Sequence, residues 1–141
     1  MTDPGSTALD PVIRATGGPW TRYFVTFLRV MAGISMLKGL YHWAMVCGIG
    51  DETGLAFQLS PTPFQAATIY FAVIDLVAAV GLWLAAAWGG VVWLTAAISM
   101  AAVEMFFPQI FGGRLWVAMA ELLAVFAYLG LAFAAARERP D

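Results

Sequence analysis

Charged side chains are scarce in this chain of 141 residues: Asp, Glu, Lys and Arg make up 11% of it, against about 25% in an ordinary soluble domain. Seven Lys and Arg, thinly spread and set against nine acids, exclude the basic face that nucleic-acid binding needs. The single cysteine, Cys47, excludes an internal disulfide, a C-x-x-C redox pair and a cysteine-built metal cluster. The single histidine, His42, has no H-E-x-x-H or Glu-x-x-His partner, so no metal site is expected. A glycine-rich phosphate loop, a Ser-His-Asp spacing and a C-x-x-C-H haem motif are also missing, and no autonomous catalytic activity is expected. What is abundant is apolar surface: 62% of residues are hydrophobic and the mean hydropathy is +0.81, which points to a bilayer.

Four runs reach the ~20 predominantly apolar residues that a helix needs to cross ~30 Å of hydrocarbon. They predict an all-α, integral membrane four-helix bundle over residues 22–137, with spans at about 23–46, 64–88, 91–107 and 115–136. Pro61 and Pro63 suit a helix start, the Gly89-Gly90 pair is read as the end of the second span, and Pro108 stops the third. Gly112-Gly113-Arg114 turns the chain into the fourth. Residues 1–21, with three prolines and three glycines, read as a disordered leader, and 138–141 as a short tail. The first apolar run begins too late and continues too far for a cleavable signal, so it is expected to stay in the membrane. The LAFQL stretch between Gly48 and Pro63 is too short to span and is expected to lie on the surface.

Arg14, Arg22, Arg137 and Arg139 flank the termini, whereas Arg114 alone falls on the other side, so the positive-inside bias places both termini in the cytoplasm. Trp20, Tyr23, Trp88 and Trp93 then belong to the inner aromatic belt, and Trp43, Phe106, Phe111 and Trp116 to the outer one.

Five charges fall inside the predicted spans: Arg29, Lys38, Asp75, Glu104 and Glu121. Each costs roughly 2.5–3.5 kcal/mol at mid-membrane unless it is paired. Counting the helical rise from the inner ends places Lys38, Asp75, Glu104 and Glu121 all about 20 Å deep, and Arg29 only about 9 Å deep. His42 lies one turn from Lys38 on the same face, with Ser35 beside it. Asp75 shares its stripe with Thr68 and Ala72, and Glu121 shares its own with Ala118 and Tyr128; small residues there let helices approach. One polar layer of Lys38, His42, Asp75, Glu104 and Glu121 is therefore expected, supported by Arg29, Ser35, Thr68 and Tyr128. Three carboxylates against Lys38 and at most Arg29 leave surplus negative charge, so a proton shared among Glu104, Glu121 and His42 is expected. A buried network that only fixes helix register accounts for the same residues, and His42 alone also reads as a satisfied interfacial histidine.

The first span, FLRVMAGISMLKGLYHW, resembles the opening helix of the DoxX-like family of four-helix bacterial inner-membrane proteins through Arg29, Gly33 and Gly39. The stretch LSPTPFQAATIYFAVIDLVAAVGLWL is similar to that family's Pro-led second helix through Pro63, Asp75 and Gly81, with Asp75 where the family more often has Glu. The resemblance covers about residues 27–84; Glu104 and Glu121 match no motif of it. The chain also resembles small alphaproteobacterial inner-membrane proteins of unassigned function. The DoxX-like resemblance implies a multi-pass protein of the bacterial inner membrane linked to redox complexes. It implies a quinone or bound lipid in the polar layer, with Lys38 or His42 donating to a carbonyl oxygen and Glu104 or Glu121 relaying a proton. The leading expectation is an accessory or assembly subunit of a larger membrane complex, in contact with lipid and with other subunits or further copies of itself. A small proton-coupled carrier or channel is the second reading, and a structural bundle whose charges fix packing is the third.

Overall fold

A computed structural model describes residues 17–138; the leader over residues 1–16 and the tail over 139–141, with Arg14 and Arg139, lie outside the described residues. Four long helices carry the fold: α1 (Pro19–Val46), α2 (Thr62–Trp83), α3 (Ala87–Phe106) and α4 (Leu115–Arg137). One-turn helices at Ala56–Leu59 and Pro108–Phe111 sit in the connections, and no strand occurs among the described residues. Even the shortest long helix has 20 residues, or ~30 Å at ~1.5 Å per residue. All four are long and apolar enough to cross a membrane, as in a multi-pass membrane protein. Proline occupies the first turn of α1 and α2, where its missing N–H would have no helical partner.

The helices form a ring in which α1 packs broadly on α2, α2 on α3, α3 on α4, and α4 least extensively on α1. Glycine sets two of these approaches. A Cβ on Gly39 of α1 would fall 2.7 Å from Leu76 Cγ of α2. A Cβ on Gly89 of α3 would overlap the backbone of Gly81 of α2, so the two backbones touch directly there.

That contact corrects the expected end of the second span. Gly89 and Gly90 do not terminate a helix; they lie inside the first turn of α3, both buried, and α2 stops earlier, at Trp83. The stop is a Schellman motif: the Ala86 N–H donates to the Gly81 carbonyl at 3.0 Å and the Ala85 N–H to that of Leu82 at 3.0 Å. Ala85 is the only non-glycine among the described residues with positive φ, +50°. An L-residue in this region costs roughly 1–2 kcal/mol, part of which glycine returns as unfolded-chain entropy. Ala85→Gly is therefore expected to stabilise the bundle by about 0.5–1 kcal/mol, read as a raised thermal midpoint in detergent.

The apolar core fills the end of the bundle that holds the described termini, hereafter the terminal end. Leu28, Met31, Ala32, Ala78, Leu82 and Trp93 are buried there. Trp93 is 2% exposed, which removes it from the inner aromatic belt: it faces the bundle axis, edge-on to Phe27 at 6.2 Å and beside Tyr128 at 5.5 Å. Trp20, Tyr23 and Trp88 are exposed.

Two carboxylates brace the chain outside the spans. Asp51 accepts the Ala56 N–H at 2.9 Å and the Thr53 hydroxyl at 2.8 Å, and the Ala56 amide, foremost, holds its carboxyl below the ordinary value. Glu138 closes the terminal end. Its Oε1 accepts the Trp20 N–H at 3.1 Å, and its Oε2 accepts the Thr21 N–H at 3.0 Å and the Thr21 hydroxyl at 3.2 Å. Desolvation opposes its ionisation, but the Thr21 and Trp20 amides outweigh this and keep its carboxyl below the usual range. A depressed carboxyl stabilises above its unfolded pKa and fails as pH falls through its folded one, so this clasp between α4 and α1 persists at neutral and mildly acidic pH.

Candidate functional site

Lys38 projects from α1 between α2 and α4, and the residues next to it explain why. Gly39 brings α1 down onto Leu76, the neighbour of Asp75, while the small residues Ala72, Ala78 and Ala79 on the stripe of Asp75 keep α2 close. The Lys38 ammonium donates a hydrogen bond to Glu121 Oε1 across the α1–α4 seam and lies 3.7 Å from Asp75 Oδ1. One turn on, His42 Nδ1 lies 3.9 Å from Asp75 Oδ2, with its ring stacked on Phe71 at 5.8 Å.

Three helices thus contribute Lys38, His42, Asp75 and Glu121 to one cluster. Asp75 has no solvent exposure, and Glu121 is buried as well. Neither Asp75 oxygen, nor His42 Nδ1, has a hydrogen-bond partner among the described residues, so the cluster holds both made and unmade bonds. Two ionised carboxylates would leave one negative charge uncompensated by Lys38 alone. At low local dielectric such a surplus attracts a proton or a hydrogen-bond donor.

The other expected members of the layer make no ion pair with this cluster, although Glu104 and Thr68 line the same cavity as Lys38, His42 and Glu121. Glu104 stands outside the ion-paired cluster: α3 starts at Ala87, four residues earlier than expected, so Glu104, in its last turn, lies ~26 Å of helical rise from that start and not ~20 Å. There its Oε2 accepts the Arg114 backbone N–H at 2.9 Å. Glu104, Glu121 and His42, the trio expected to share a proton, all line one cleft, while Asp75 joins Lys38, His42 and Glu121 in the ion-paired cluster. Arg29 is exposed on the outside of α1 and makes no ion pair among the described residues. Ser35 is buried one turn before Lys38. The Thr68 hydroxyl donates to the Phe64 carbonyl at 2.8 Å, within its own helix. Tyr128 belongs to the apolar core, against Phe24 at 5.5 Å and against Gly90, where an added Cβ would strike its hydroxyl.

The cluster forms the floor of a cleft of about 580 Å³ in the half of the bundle away from the termini, the distal half. Lys38, His42, Glu104 and Glu121 face into it, whereas Asp75 lies behind them. The walls are apolar and aromatic, with Met31, Phe71, Met100 and Ala124 among them, and Phe64, Phe111, Arg114 and Trp116 line the space toward the distal end. Phe64 and Phe111 stack at 5.6 Å there. Ile34, Tyr41 and Ala120 line the cleft and are also exposed, so it opens sideways between α1 and α4. Arg114, the misfit of the charge count, belongs to this lining. A linear reading misses the cleft because it arises from the sparse packing of α4 on α1; the exposed Tyr41 and Trp116 on facing helices are its only trace in the sequence.

Among the described residues, no group of three His, Cys, Asp or Glu side chains is placed to hold a metal ion. The family described as Family of unknown function (DUF6163) matches residues 22–139, a stretch that takes in nearly all of the four long helices. A search of curated proteins and a search of solved structures each found nothing that matches.

Proposed function

We propose that this chain, which belongs to the family of unknown function DUF6163, is an accessory or assembly subunit of a larger membrane complex that holds a lipid-soluble molecule in its lateral cleft. The observation that carries the reading is the cleft itself: about 580 Å³, apolar-walled, open between two helices, with Lys38, His42 and Glu121 on its floor. Ligand sites are commonly clefts of roughly 300–1,000 Å³ with apolar walls and a few converging polar groups. A quinone fits this donor set, because Lys38 can donate to a carbonyl oxygen while the walls take the ring and chain. In this reading a partner subunit supplies the electrons. The membrane in this reading is the bacterial inner membrane, with both termini in the cytoplasm, and the likeness of residues 27–84 to the DoxX-like family belongs to the same proposal.

A small proton-coupled carrier or channel is the second reading, favoured by the fully buried Asp75, whose oxygens lack hydrogen-bond partners. Purification from the native membrane in mild detergent, with mass spectrometry of co-purifying proteins, separates the two. Stoichiometric membrane subunits are the expected result. A lone homo-oligomer that moves protons in liposomes, and stops doing so in Glu121→Gln, would replace the subunit reading with the carrier.

A further inference from the structure

Of the five charges that the sequence places inside the spans, four are answered within the bundle: Lys38 meets Glu121 and Asp75, and Glu104 accepts the Arg114 N–H. Arg29 is not. It is exposed on the outer face of α1, six residues beyond Tyr23 or ~9 Å of helical rise, and makes no ion pair among the described residues. A charge inside a bilayer is costly, and it normally faces the bundle interior, a polar cavity or a partner group.

Glycine marks the same face. Gly39, Gly81, Gly89 and Gly90 each stand where another helix comes close, whereas the helical glycines Gly33 and Gly130 meet nothing within 4 Å. Gly33 lies one turn from Arg29; with Thr26, Met36 and Leu40 the two form an exposed line at alternating three- and four-residue spacing. Glycine in the middle of a helix costs stability relative to leucine, and lipid chains pack over either. A rigid backbone is more demanding, because it comes close only where the Cβ is missing. We propose that this face of α1 docks a transmembrane helix of another protein, one that carries an Asp or Glu level with Arg29 and lays its backbone against Gly33.

Charge complementarity selects the occupant. A carboxylate in the hydrocarbon is costly as Arg29 is, so pairing relieves both, and a guanidinium can give a carboxylate two parallel hydrogen bonds. A second copy of this chain has no such carboxylate to offer. The line of Thr26, Arg29, Gly33, Met36 and Leu40 holds no acid, so a two-fold pair through it would leave both copies of Arg29 unanswered. Elsewhere in the spans Asp75 and Glu121 are buried, and Glu104 is held by the Arg114 N–H. The inference rests on the subunit reading and specifies the face through which the subunit docks.

Arg29 is exposed and Gly33 touches nothing, so Arg29→Met and Gly33→Leu are expected not to lower the thermal midpoint in detergent and to test the face alone. A photo-crosslinking amino acid replaces Val30, exposed beside Arg29, in the full-length protein in its native membrane; a second preparation carries it at Ile98, exposed on α3 at the opposite side of the ring. Ultraviolet light is expected to join Val30, and not Ile98, to one membrane protein, with an Asp or Glu in the span that is attached. Arg29→Met and Gly33→Leu are each expected to lower the yield about tenfold or more, for Arg29 the scale of a lost charge-assisted hydrogen bond, while Arg29→Lys retains most of it. Exchanging the charges, Arg29→Glu in this chain and Arg for the acid of the attached protein, is expected to restore the adduct. Adducts to lipid alone or to a second copy overturn the inference, as does a yield that both variants leave unchanged. Subunits that co-purify with wild type and with both variants alike would overturn this face and leave the subunit reading standing, whereas a wild type without any co-purifying subunit removes that reading itself.

Discussion

Lys38→Met is expected to destabilise the bundle by about 3–5 kcal/mol, the range found when one partner of a buried charge pair is removed. Lys38 is the only cation in the cluster when His42 is neutral, and it faces both Asp75, which has no exposure, and the buried Glu121. Without it, two carboxylates remain inside the protein with no counter-charge, and one or both must protonate or draw water into the cleft. Deleting the charges together avoids this penalty. The triple variant Lys38→Met, Asp75→Asn, Glu121→Gln is expected to recover most of the loss, since replacing a whole buried ionic group by similar-sized neutral ones is often near neutral. Arg29→Met serves as the reference: Arg29 is exposed and outside the cluster, and its loss is expected to change stability by less than about 0.5 kcal/mol. Unfolding in mixed micelles of increasing denaturing detergent measures all three. A Lys38→Met loss below 1 kcal/mol, on the scale expected of an exposed pair, would mean that water in the cleft already solvates the two acids.

The second large effect lies at the other end of the bundle. Gly89→Leu is expected to cost about 3 kcal/mol, the upper part of the range for inserting atoms into packed interiors, because the new Cβ would occupy the backbone of Gly81. A backbone cannot rotate aside as a side chain does, so α2 and α3 must separate along their whole crossing. Gly39→Leu meets the side chain of Leu76 first and is expected to cost less. Gly33→Leu meets nothing within 4 Å and is expected to cost nothing, since leucine favours a helix over glycine by up to ~1 kcal/mol. The order Gly89, Gly39, Gly33 in detergent-resistance assays is the test. Equal losses at all three positions would show that helix packing does not set them.

The same glycines mark where a linear reading of this chain succeeds and where it stops. Apolar run length locates four helices because ~20 residues must cross a fixed thickness, whatever the tertiary contacts are. Helical rise and periodicity bring Lys38, Asp75 and Glu121 to similar depths, and the i, i+4 relation adds His42. Gly89-Gly90 misleads because glycine serves two purposes, breaking helices and letting them touch, and only the partner at Gly81 tells which applies. That one ambiguity shifts the start of α3, places Glu104 out of the cluster and turns Trp93 inward. The break itself falls at Ala85, a residue with no turn signature, held by the Schellman bonds to Gly81 and Leu82. The cleft depends on how loosely α4 rests on α1, a property of four helices together that no single segment encodes.

The central claim is that the charged floor of the cleft holds a lipid-soluble molecule, and the most direct measurement of it is what leaves the membrane with the protein. Wild type and the triple neutral variant are purified from native membranes in the same mild detergent, matched for helix content, and their quinones and lipids are extracted and quantified by mass spectrometry. Loss of the charge-assisted hydrogen bond from Lys38, about 1.5–3 kcal/mol, corresponds to at least a tenfold weaker hold. The account predicts one amphiphile enriched over bulk lipid in the wild type and at least tenfold depleted in the folded triple variant. Equal retention by both, or no molecule enriched in either, would contradict it.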